Sequence, residues 1–290
     1  MMRPTFLTIG VSYRTDAEAV RFATELTSLS GYDRGVVLIV ANDGRSASPD
    51  SPLNFLETAP NVIVEYSREN LGYFGAASWA FSRYLERHEM PEWVIVSNVD
   101  IEFPDRDIFS KLLQYHGDSC YGAIAPDIRL ETDGRLPSSN TSQNPHMAHR
   151  PSIYKLKLLE LIASSVFSYA AFETLSAMRY TILNRLRSIA RSNITTADRD
   201  RIQEIYAPFG AFIIFHSRYF NAGAGLKYGG FLYGEELFVA EQIAEHGLRA
   251  VFDSRLKVIH REHCSTNHTS VLQRAQRGRE SIRHLMRTYY

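Results

Sequence analysis

Two apolar rhythms alternate along this chain. Residues 5–11, 35–40 and 93–97 are short, nearly continuous apolar runs of strand length, the pattern of strands buried on both faces. Residues 61–66 form a further strand-like run. Between them, residues 16–29 and 75–89 carry helical spacing, and the first of these opens with acids, as suits a helix N-terminus. Strands alternating with helices predict βαβ units and a mostly parallel sheet. The pattern then changes. Residues 130–150 are rich in Ser, Asn, Pro and Gly and read as an irregular loop. Residues 151–190 read as a long helical stretch with Leu, Ile, Phe and Tyr on one side, followed by a polar break near 193–198. Strand-like structure returns at 210–215, a helix is expected over 235–246, a last strand over 250–259, and a helical tail over 271–290. The expected organisation is therefore an α/β domain over 1–270, interrupted by a helical insert at about 151–200 and closed by a basic helix at 271–290. No internal repeat is present.

Composition narrows this picture. With 290 residues, 44% of them apolar, the chain can bury a large core and global disorder is disfavoured. Its formal net charge is zero, so nucleic acid is not an expected partner. The two cysteines, Cys120 and Cys264, cannot form a disulfide framework and read as reduced thiols. No secretory leader is apparent at the start, and no segment approaches the roughly 18 apolar residues of a spanning helix. A cytoplasmic protein is expected. Local charge is less neutral. Residues 151–191 hold Lys155, Lys157, Arg179, Arg185, Arg187 and Arg191 against Glu160 and Glu173, and the tail holds Arg274, Arg277, Arg279, Arg283 and Arg287 against Glu280. Basic amphipathic helices of this kind either lie on an anionic membrane surface or pack on the core with their charges solvated.

Candidate chemistry clusters at strand ends. Asn42-Asp43-Gly44 follows an apolar strand, so a side chain there can reach a nucleotide at the sheet edge, or simply close the strand as an Asx turn. Asn70-Leu71-Gly72 and Gly75 precede a helix. Such glycines permit close backbone approach to a ligand at a helix N-terminus, or only tight helix–sheet packing. Ser97-Asn98-Val99-Asp100 ends another strand. Asp100 there can hold a divalent cation against a diphosphate, or act as a strand-end cap. Trp79 and Trp93 read as core residues.

These segments, in this order, resemble glycosyltransferase family 2, inverting sugar transferases of the GT-A fold, and within it the rhamnosyltransferase-like branch. The resemblance covers roughly residues 5–264 apart from the insert. It implies a Rossmann-like mixed, mostly parallel sheet with flanking helices. It also implies a nucleotide-diphosphate sugar donor (dTDP- or UDP-linked), a glycan or lipid-linked glycan acceptor, and Mg²⁺ or Mn²⁺. Asn42, Asp43, Asn70 and Gly72 would contact the donor. Asn98 and Asp100 stand where the family carries two aspartates, so Asn98 can bond a ribose without adding charge and Asp100 is the metal ligand. Gly210, within Pro208-Phe209-Gly210-Ala211-Phe212, matches a Gly-Ala strand that lines the acceptor side. Glu235 and Glu236, after the aromatic run Phe231-Leu232-Tyr233-Gly234, stand where the family has a Glu-Asp pair. By position Glu236 is the general base and Glu235 its support, although Glu for Asp leaves the choice between them open. His260 stands where some members complete the metal site. His263, Cys264 and His268 nearby raise zinc, but lack a convincing fourth ligand. A sugar nucleotidyltransferase and a non-catalytic sugar-nucleotide-binding protein are the other readings. The first would need an Arg- and Lys-bearing glycine loop after the first strand, where the chain has Gly10-Val11-Ser12-Tyr13-Arg14.

Overall fold

The apolar runs become the centre of one sheet in the computed structural model, which describes residues 5–115, 120–131, 142–176, 178, 202–261 and 270–290. Strand β1 (Phe6–Ser12) leads through α1 (Asp16–Thr27) to β2 (Gly35–Ala41), and a short α2 (Asn54–Glu57) precedes β3 (Val62–Tyr66). Helix α3 (Tyr73–Leu85) then feeds β4 (Trp93–Asn98). Beyond β4 come β5 (Ile101–Glu102), α4 (Ile108–Leu112) and β6 (Tyr121–Glu131). Two helices follow, α5 (Ile153–Ile162) and α6 (Val166–Ser176), bent 115° from one another. The chain returns as β7 (Ile202–Ile205), β8 (Phe212–His216), α7 (Ser217–Asn221), α8 (Glu235–Glu245), β9 (Arg249–Arg261) and α9 (Val271–Tyr289). Residues 132–141, 179–201 and 262–269 lie outside the described residues. With them go Arg179, Arg185, Arg187, Arg191, the polar break, His263, Cys264 and His268.

The sheet order is β3-β2-β1-β4-β8-β6-β9-β5, with β7 also paired to β9. It is mixed, as expected, and its longest ladders are parallel. Parallel pairings join β1 to β2 and β4, β2 to β3 and β6 to β9, and four antiparallel ones join β4–β8, β6–β8, β5–β9 and β7–β9. In the antiparallel half, β8 and β9 fall on the expected runs at 210–215 and 250–259, whereas β5, β6 and β7 show no clear period in the sequence. These directions bring the carboxyl ends of β1, β2, β4 and β9 and the amino end of β8 to one edge.

Side chains alternate between two cores. Phe6, Val37, Ile39, Trp93, Ile95, Phe212 and Ile214 pack against α1 and α4. Leu7, Leu38, Val40, Val94, Val96, Ile213 and Phe215 pack against α3, α8 and α9. Burial on both faces explains the continuous apolar runs. The basic C-terminal helix is part of this packing, with Ala275, Ser281 and Leu285 buried. Three of its arginines turn inward: Arg274 pairs with Glu173 at 2.8 Å, and Arg279 and Arg283 with Glu160 at 3.6 and 2.5 Å.

Gly72 fixes one end of this arrangement. Its φ is +74°, and an added Cβ would stand 1.9 Å from the Phe231 carbonyl oxygen. Helix α3 starts directly after it, so Gly75 falls inside the first turn, where a Cβ would meet only Leu71 at 3.4 Å. Gly72→Ala should therefore cost roughly 2–4 kcal/mol in denaturant titration through strain and backbone collision. Gly75→Ala should be neutral or gain up to about 1 kcal/mol as an ordinary helix-interior replacement.

Candidate active site

A cleft of about 460 Å³ opens at this edge, lined by Asn42, Asn70, Gly72, Asn98, Asp100, Gly210, Glu235, Glu236 and His260. Thus nine of the ten candidate residues meet in one place. The exception is Asp43, which does not line the cleft. Its carboxylate is held within its own turn by the Arg45 backbone N–H at 3.1 Å and the Arg45 guanidinium at 2.5 Å, and Arg45 reaches on to Asp16. That ion pair keeps the Asp43 carboxyl below its usual range despite partial desolvation.

Asn42 is a buried organiser of the glycine loop. Its amide Nδ2 donates to Asn70 Oδ1 at 3.1 Å and to the Gly72 carbonyl at 3.0 Å, and its Oδ1 accepts the Leu71 N–H at 2.8 Å. Asn70 Oδ1 also accepts the Gly72 N–H at 3.0 Å. An aspartate at 42 could accept from Leu71 but could not make the two donations, which accounts for the amide here.

Asp100 sits in a turn braced from behind. Arg21 donates to the carbonyls of Val99 and Ile101, both at 3.1 Å, and the Arg261 N–H donates to the Asp100 carbonyl at 3.0 Å. Asp100 Oδ1 lies 3.2 Å from His260 Nε2, yet the two are not aligned for a hydrogen bond, and Oδ1 is buried without a partner. Asn98 Nδ2 stands 3.4 Å from the same Nε2 and, as an amide nitrogen, can only donate to it. A buried carboxylate oxygen that accepts no hydrogen bond thus lies 3.2 Å from an imidazole nitrogen. Two such donors fit a divalent cation that also takes phosphate and water oxygens. Among the described residues no group of three or more His, Cys, Asp or Glu side chains forms a self-sufficient metal site.

Across the cleft, α8 begins at the two glutamates. Tyr233 and Gly234 before them both adopt positive φ, +69° and +87°, producing a sharp turn. The hydroxyls of Tyr228 and Ser281 donate to the Tyr233 carbonyl, so α9 holds that turn in place. Glu236 Oε1 accepts the Gly210 N–H at 3.3 Å, and a side chain at 210 would collide with it. Glu235 is buried, and desolvation followed by the neighbouring Glu236 charge pushes its carboxyl up to about 8. Its proton is therefore retained at neutral pH.

Sequence reasoning missed three contributors. Tyr73 donates to the Gly210 carbonyl at 3.0 Å, bridging the glycine loop to the segment that leads into β8. Burial, with Glu235, Asp100 and Glu236 nearby, holds its phenol well above the usual range, so it remains a donor. The other two, Gln273 and Arg277, enter from α9, with the Arg277 guanidinium 4.7 Å from the Phe231 ring centre. Adjacency to the Asn-x-Gly segment could have flagged Tyr73. Nothing local marks a residue brought in by a distant helix.

No family profile and no curated protein sequence matches this chain significantly. Solved structures do. A mannosyltransferase from Pyrobaculum calidifontis, PcManGT, solved with GDP-Man and Mn²⁺, aligns with a TM-score of 0.52 at 15% identity over 97% of this chain and 61% of its own. The GalNAc-T7 structure with UDP, GalNAc and Mn²⁺ aligns with a TM-score of 0.55 at 11% identity over 98% of this chain and 48% of its own. The fold is that of the GT-A glycosyltransferases. This chain spans about three-fifths and about half the length of these two proteins.

The Glu235 proton has a consequence for stability. The folded state holds it to about pH 8, whereas an unfolded chain releases it near 4.5. Folding therefore becomes less favourable as pH rises across that window. Glu235→Gln should match the wild type in melting temperature below that window and exceed it increasingly up to about pH 8. An offset independent of pH would contradict this assignment.

Proposed function

We propose that the protein is an inverting glycosyltransferase that moves a sugar from a nucleotide-diphosphate donor to a glycan hydroxyl. The observation that carries this reading is a cation-ready pair, Asp100 and His260, facing a carboxyl pair at a helix start across one cleft of a GT-A fold. The two neighbours bind GDP-Man and UDP respectively, each with Mn²⁺. Our reading of the donor remains a dTDP- or UDP-linked sugar, with rhamnose or another deoxyhexose suggested by the family-2, rhamnosyltransferase-like motifs. The acceptor is a growing surface glycan, either free or carried on a lipid.

In this reading the Asn70–Gly72 loop and the N-terminus of α3 face the donor, held by Asn42. Asp100 and His260 would hold Mn²⁺ or Mg²⁺, which supplies positive charge to the leaving diphosphate. The acceptor oxygen forms a bond to the anomeric carbon while the bond to the diphosphate oxygen breaks, and that electron pair leaves with the nucleotide. The hydroxyl proton passes to Glu236. With Glu235 protonated at neutral pH, the base role falls to Glu236, and Glu235 can donate a hydrogen bond to substrate. The Gly210 N–H and the absence of a side chain at 210 fix where the Glu236 carboxylate lies. A nucleotidyltransferase would want a cation from the first loop in the cleft, but Arg14 rests 5.3 Å from the Tyr13 ring centre and does not line it.

Turnover of UDP-, dTDP- and GDP-sugars, with Mn²⁺ and a glycan acceptor, tests this. Glu236→Gln should lower transfer by roughly 10²–10⁴-fold while sparing donor binding. Wild-type activity should fall as pH rises through about 8, because a second charge then appears beside Glu236. Activity that instead rises through that pH would make Glu235 the base. Transfer unaffected by either substitution would remove both carboxylates from the chemistry.

A further inference from the structure

Apolar exposure is concentrated in one place. Of the twelve large apolar side chains exposed among the described residues, eight fall between residues 154 and 178, on or just after α5 and α6. Phe167 is 89% exposed, Tyr154 80%, Leu161 67% and Leu175 65%. A patch of this kind on a folded chain marks an interaction surface.

The charges around it say what kind of surface it meets. The two acids of this segment, Glu160 and Glu173, are each taken up by arginines of α9. Lys155 and Lys157, exposed on α5, have no carboxylate partner among the described residues. The outward face is therefore apolar with an uncompensated positive margin. Among the described residues no single helix is long and apolar enough to cross a bilayer, and α5 and α6 meet at a sharp bend.

We propose that the α5–α6 elbow docks on an anionic lipid bilayer surface. Phe167, Leu161, Tyr154 and Leu175 enter the interfacial region, and the two lysines lie at the headgroups. A groove of about 230 Å³ beside the elbow is lined by Leu156, Leu159, Ile282 and Leu285 and also by Tyr233 and Glu236. The use of this docking rests on the glycosyl-transfer reading: a lipid-linked acceptor would meet the base without leaving the membrane. The docking itself does not.

The test is co-sedimentation of the full chain with vesicles, either phosphatidylglycerol and phosphatidylcholine in equal parts or phosphatidylcholine alone. The protein should partition onto the first and weakly onto the second. Phe167→Ser with Leu161→Ser should lower that partition roughly tenfold or more, with an unchanged circular dichroism spectrum. Lys157→Glu should weaken it and reduce its sensitivity to salt. No partition, or an apolar variant that binds as well as wild type, would overturn the proposal. A wild-type dimer that this variant converts to monomer would show instead that a second copy covers the face. Turnover on a soluble acceptor should be unchanged in the double variant. Its absence in every protein, with vesicle binding intact, would count against the transferase reading and leave the docking standing.

Discussion

The closeness of two backbones at Gly72 and Phe231 sets the shape of the cleft. The glycine loop before α3 and the loop that leads into Glu235-Glu236 come from distant parts of the sequence, and they touch where a single methyl group would collide with a carbonyl oxygen. Everything on either side depends on this approach. Asn42 holds the glycine loop from below through its amide. Tyr73 ties the same loop to Gly210, and Gly210 in turn donates to Glu236. One short chain of contacts thus links the glycine loop to the proposed base.

The site also holds polar groups that water would otherwise solvate. Glu235 keeps a proton because it is buried beside Glu236. Asp100 leaves a buried oxygen without a donor while His260 presents a nitrogen to it. Buried groups of this sort reduce stability unless a partner arrives, and they cluster where ligands bind. Helix α9 contributes to holding them. Ser281 bonds the strained turn before α8, and Gln273 and Arg277 enter the cleft. A helix that looks like a basic tail in sequence spends three of its arginines on carboxylates of α5 and α6.

How much of this could be read from the sequence follows from where the information sits. The doubly buried strands show as apolar runs, and strand ends are where α/β proteins place ligands, so Asn42 and Asp100 are legible as candidates, whereas Asn70 and His260 are marked by the family resemblance alone. Asp43 does not line the cleft, because its carboxylate turns toward Arg45, and local order cannot show which of two adjacent side chains turns which way. Strands β5 and β6 were missed because they pair with β9, far away in sequence, rather than obeying a local period. Tyr73 and Arg277 act through contacts with the distant residues 210 and 231, and no spacing rule spans those gaps.

The central claim is that Asp100, with His260, binds a divalent cation together with a nucleoside diphosphate. Calorimetric titration of the folded protein with UDP, dTDP and GDP, each with and without Mn²⁺, tests it most directly. The predicted result is metal-dependent binding of one nucleotide that is lost in Asp100→Ala. Binding of none of them, or binding indifferent to both Mn²⁺ and Asp100, would contradict it.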